Sequence, residues 1–66
     1  MPNVAENIKF YRKQESMTQE AVANYLNLER STIAKYESGE NEPPIQILIK
    51  LADLFDISID ELVGRE

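Results

Sequence analysis

Five of the chain's seven cationic side chains fall within the first 36 residues: Lys9, Arg12, Lys13, Arg30 and Lys35. Against them stand Glu6, Glu15, Glu20 and Glu29, which leaves this half with one net positive charge. From residue 37 onward, Lys50 and Arg65 oppose Glu37, Glu40, Glu42, Asp53, Asp56, Asp60, Glu61 and Glu66, six net negative charges within the total of −5. A polyanionic partner would meet the first half and avoid the second. The acidic total argues against such a partner only weakly, because a local face decides contact. Other chemistry is scarce. Cysteine and histidine are absent, which removes disulfides, thiolate metal sites, the commonest metal ligand and the usual neutral-pH general base. Asp60 and Glu61 form a carboxylate pair in sequence, but adjacent residues on a helix do not face each other. With two glycines in the chain, no phosphate-cradling loop is present. These residues point to a binding module, with no enzyme activity, metal or cofactor expected.

The elements that must position these groups are helical. Sixty-six residues make one domain, residues 1–66, whose folding buries only about 60% of the unfolded surface. No apolar run approaches the ~18 residues of a membrane span. The start, Met-Pro-Asn-Val-Ala-Glu-Asn, lacks the basic and apolar regions of a signal peptide, so a cytoplasmic location is expected. Period-2 alternation is nowhere sustained, whereas helical spacing recurs throughout. Asn3 reads as an N-cap with Glu6 as its capping-box partner. Val4, Ile8 and Tyr11 then line a helix ending near Glu15. Thr18 caps a second helix with Val22, Ala23 and Leu26 inward, and Asn27 suits the left-handed turn that follows. A third helix runs from about Arg30 to Ser38, with Ile33 and Tyr36 inward and Gly39 as its stop. Pro43 and Pro44 precede a fourth helix, Ile45 to Phe55. Ile45, Leu48, Ala52 and Phe55 form its inward stripe, joined by Ile49 and Leu51. Ser58 and Glu61 make a second capping box, opening a short helix with Leu62. The expected class is all-α, a compact five-helix domain.

The run from Met17 to Gly39, MTQEAVANYLNLERSTIAKYESG, resembles the helix-turn-helix of phage-repressor and Cro-like DNA-binding domains, the XRE family. The resemblance rests on Gln19, Ala23, Ile33, Glu37, Gly39 and Pro43 at their spacings. It extends back to Ile8 and Arg12 and forward through Leu48, Leu51, Ala52, Phe55 and Ile57 to Leu62. It implies a repressor-like regulator that binds double-stranded DNA as a dimer on a palindromic operator. The third helix would then lie in the major groove while the second crosses the backbone. By position, Glu29, Arg30, Ser31, Ala34 and Lys35 would face the bases. Thr18, Gln19, Thr32 and Ser38 would face phosphates, with Gln19 also bracing the recognition helix. The family also pairs the positions of Arg12 and Glu37 as scaffold.

Residue chemistry agrees in part. Arg30 can donate two parallel hydrogen bonds to O6 and N7 of guanine. Ser31 can donate or accept with little selectivity, and Thr32 and Lys35 suit phosphate positioning. Glu29 departs from the serine or threonine common at its position. Its carboxylate suits the helix dipole but repels phosphate, except where it accepts from cytosine N4. Glu40 and Glu42 replace the basic residues that often follow the glycine, which predicts modest affinity. Asp56 stands where a glycine is common. Ile47, Leu54, Ile57 and Ile59 are surplus to a one-sided core and mark a candidate dimer interface. The acidic second half keeps an alternative open: an antitoxin-like or anti-repressor module on the same fold, with a protein partner.

Overall fold

The computed structural model describes residues 3–65. Met1 and Pro2, where the leader reading begins, and Glu66, the last acidic charge, lie outside the described residues. The chain runs α1 (Val4–Gln14), α2 (Gln19–Leu26), α3 (Arg30–Ser38), α4 (Ile45–Phe55) and α5 (Ile59–Val63). The described residues hold no strand, so the architecture is all-α as expected.

The starts of α1, α2, α4 and α5 are each written in a side chain or a proline. The Asn3 side chain accepts from the Glu6 amide at 3.1 Å, the forward half of the expected capping box. Thr18 Oγ accepts from the Ala21 amide at 3.0 Å. Ser58 and Glu61 make both halves of theirs, with the Ser58 amide donating to the Glu61 carboxylate at 2.9 Å. Pro44 opens α4 at φ −67°, the angle its ring imposes.

The ends share one device. After α1, α2 and α4 the chain turns left-handed at Ser16, Asn27 and Asp56, with φ of 57°, 59° and 58°. The next amide in each case reaches back across the last turn: Met17 to the Arg12 carbonyl at 3.1 Å, Leu28 to Ala23 at 2.8 Å, Ile57 to Ala52 at 3.0 Å. This is the Schellman closure, which satisfies carbonyls that a helix end leaves without partners. Gly39, at φ 84°, ends α3 the same way, with the Glu40 amide on the Lys35 carbonyl at 3.1 Å. Short stops of this kind let five helices fold back within so few residues.

α3 packs on α1 and α2, while α5 lies against α1 and α4. The core joins Ile8 of α1, Val22, Ala23 and Leu26 of α2, and Ile33 and Tyr36 of α3. Leu51, Ala52 and Phe55 of α4 and Leu62 of α5 complete it. Ala23 is almost fully buried, and its single methyl lets α2 lie close to its neighbours. Burying a side chain of leucine or isoleucine size contributes roughly 1.5–3 kcal/mol, so few residues carry the stability.

The inward face of α4 differs from its expected stripe. Leu51 is completely buried, whereas Ile45 is 56% exposed and Ile49 44%. Ile45 stands in the first turn, to one side of the face that Leu48, Leu51, Ala52 and Phe55 turn to the core. Ile47, Leu54, Ile57 and Ile59 are half-buried and packed against the core, so each already has neighbours within the chain.

Candidate nucleic-acid interface

Beneath α3 lies a polar cluster set into the apolar core. Arg12 follows Ile8 by one helical turn and therefore points inward with it. Glu37 follows Ile33 by the same four residues. Their side chains are 11% and 4% exposed and meet as a forked ion pair, Nε to Oε2 at 2.6 Å and Nη2 to Oε1 at 3.1 Å. Arg12 Nη1 donates to the Met17 carbonyl at 2.8 Å. Among the described residues no buried side-chain polar atom lacks a partner. The pair thus sits in the core fully hydrogen-bonded, and it joins α1 to the end of α3.

Gln19, the first residue of α2, extends this cluster to the surface. Its Nε2 donates to Glu37 Oε1 at 3.0 Å. Its Oε1 accepts from Arg30 Nη1 at 3.2 Å. The amide therefore joins the core carboxylate to the exposed arginine in the first turn of α3, which is the bracing role expected of it. The Nε–Nη2 edge of Arg30 keeps two parallel donors free, the geometry that guanine O6 and N7 require.

Around this point, Glu29, Arg30, Ser31 and Lys35 are exposed, while Thr32 and Ala34 are half-buried. Glu29 occupies the N-cap of α3 without a side-chain bond to its amides. The Thr32 and Ile33 amides bond the Glu29 carbonyl at 3.0 and 3.4 Å, so the earlier amides of Arg30 and Ser31 point off the helix end. Thr18 is exposed, with its oxygen engaged in capping α2. Ser38 Oγ donates to the Lys35 carbonyl at 3.1 Å and accepts from the Glu40 amide at 3.3 Å, so it closes α3 locally. Glu40 and Glu42 are exposed beyond it.

One structural residue escaped the sequence reading. Asn7 Nδ2 donates to the Leu62 carbonyl at 3.0 Å. Its signal was present: position 7 lies between Val4 and Tyr11 at helical spacing, a polar residue on a half-buried face.

The helix-turn-helix family model matches residues 8–62, from α1 into α5. The chain belongs to this family. Among its helix-turn-helix relatives, the HTH-type transcriptional regulator AnsR of Bacillus subtilis is 46% identical over 55 residues, 83% of this chain and 47% of AnsR. The crystal structure of a transcriptional regulator from Listeria innocua superposes with a TM-score of 0.90 at 42% identity, covering 97% of this chain and 60% of that one. The P22 c2 repressor, solved with a synthetic operator, matches over the full length of both chains with a TM-score of 0.89. At 24% identity that last likeness shows the fold alone. The chain spans about half the length of the curated relatives it matches.

Proposed function

We propose that this helix-turn-helix domain binds double-stranded DNA sequence-specifically and regulates transcription in the cytoplasm, as a binding module rather than an enzyme. α3 enters the major groove by its first turn, and α2 crosses the backbone. The observation that carries this reading is the exposed Arg30 guanidinium, held at the tip of α3 by the Gln19 carbonyl with its second donor edge free. Ser31 and Lys35 stand beside it on the exposed surface, and the outward amides of Arg30 and Ser31 suit a phosphate. The names of AnsR and the Listeria innocua protein as transcriptional regulators support the same reading. Thr18, Gln19, Thr32 and Ser38 are the phosphate-side candidates.

The domain acts as a two-fold dimer on a palindromic operator, because one copy offers few basic contacts. Its interface lies on the C-terminal region, where Ile47, Leu54, Ile57 and Ile59 are half-buried and Ile45 and Ile49 protrude. Selection from a random duplex library at low salt tests the DNA reading. An enriched, palindromic motif is expected, and no enrichment would overturn it. Sedimentation at tens of micromolar, with and without Ile59→Asp, tests the dimer. A wild-type protein that remains monomeric there and binds half-sites without cooperativity would refute it.

A further inference from the structure

The side chain of Glu29 stands at the tip of α3 without a hydrogen bond to the helix it caps. A carboxylate at an N-cap ordinarily accepts from the first amides of its own helix, and here it does not. The side chain is exposed. The described residues hold one ion pair, Arg12 with Glu37, so no cation neutralises Glu29. Its immediate neighbour cannot do so without leaving its place, since Arg30 is drawn toward α2 by Gln19. The carboxylate is therefore exposed and unpaired among the described residues, one position before the arginine proposed to read guanine.

Once α3 is in the groove, that carboxylate loses water and must find a donor, because an unpaired buried charge is costly. The groove edges offer few donors. Guanine presents N7 and O6, both acceptors, and thymine presents O4 and a methyl. Adenine N6 donates, but the N7 acceptor beside it repels a carboxylate. Cytosine N4 donates with no acceptor next to it on the same base. Glu29 is the N-cap of α3 and Arg30 its first residue, so carboxylate and guanidinium lie at the same end of the helix.

Resting on the DNA reading above, we infer that Glu29 is a specificity-determining residue: its carboxylate accepts from cytosine N4 within the half-site that Arg30 reads. The operator half-site thus carries a cytosine at one defined position. The charge that weakens binding to DNA in general becomes, there, the element that rejects other bases.

The experiment measures binding of wild type, Glu29→Gln and Glu29→Ala to duplexes that carry each of the four bases at that position of the selected motif. Wild type should favour cytosine over guanine and thymine about 5- to 150-fold, the range of one good base contact. Glu29→Gln, which can bond adenine N6 and N7 together, should move the preference to adenine. Glu29→Ala should flatten preference at that pair alone while strengthening binding to unrelated duplexes. If Glu29→Ala instead strengthens binding to all duplexes equally and leaves the preference intact, Glu29 is only a repelling charge and the assignment is wrong. A wild-type protein that selects no motif overturns the DNA reading itself, a result distinct from that one.

Discussion

The Asn7 side-chain amide spans 3.0 Å to the backbone carbonyl of Leu62 and ties the first helix to the last. That carbonyl belongs to the final turn of α5, where helical partners have run out. α5 has five residues, too few to hold together alone. It is kept in place by its capping box, by the buried Leu62 and by Asn7. Asn7→Ala should cost about 1–3 kcal/mol, the penalty of an unsatisfied partly buried acceptor. Hydrogen exchange should show residues 59–63 losing protection before the rest. Unchanged protection there would show that α5 does not depend on this bond.

Arg12 and Glu37 should be strongly coupled. Loss of either partner strands a buried charge, at a cost of about 3–5 kcal/mol, a large part of the stability of so small a domain. The double alanine variant should lose much less than the two single losses together. Urea denaturation of all four proteins completes the cycle, and additive losses would contradict the geometry.

Ser16 offers a gain. Its φ of 57° lies where a residue with a Cβ is strained by about 1–2 kcal/mol, and its side chain makes no hydrogen bond among the described residues. Ser16→Gly should raise stability by roughly 1 kcal/mol, or about 4–8 °C in Tm for a domain of this size. Gly39→Ala should do the reverse. An added Cβ there meets nothing closer than Ala5 Cβ at 4.0 Å, so the loss would come from backbone conformation alone. Calorimetry of both variants separates the two signs.

Arg30 and Lys35 should fail in different ways. Arg30→Ala should relax preference at one base pair by about 1–3 kcal/mol. Lys35→Ala should weaken binding to every sequence alike and lower the salt slope by about one. Titrations at several salt concentrations, on specific and scrambled duplexes, distinguish them. Equal effects on both duplexes for Arg30→Ala would remove it from the bases.

Local punctuation was the most legible part of the chain. Asn3, Thr18 and Ser58 are capping types followed three residues later by the amides they bond, and Asn27, Gly39 and Asp56 are types that tolerate a left-handed turn. Ser16 makes the same turn and was not foreseen, because serine carries no such signature. Its conformation closes the end of α1, where the Met17 amide reaches back to the Arg12 carbonyl. Periodicity located the core face of α4 but not its extent. Ile45 shares the spacing of Leu48 and Ala52, yet it stands in the opening turn, to the side of the buried face. The contacts among Arg12, Glu37, Gln19 and Arg30 join residues up to 25 positions apart, a distance over which spacing alone is silent. There the family resemblance supplied Gln19 and the Arg12–Glu37 pair, and the fold added their link to Arg30.

The bond from Gln19 to Arg30 also has an entropic side. A surface arginine ordinarily samples many rotamers, and immobilising such a side chain at an interface costs about 0.5–1.5 kcal/mol. Here part of that freedom is already given up in the isolated domain, because the amide that holds the guanidinium is itself fixed by a buried carboxylate. The ordering is done by folding rather than by encounter, and in the proposed complex Arg30 would meet the groove with its rotamer largely chosen.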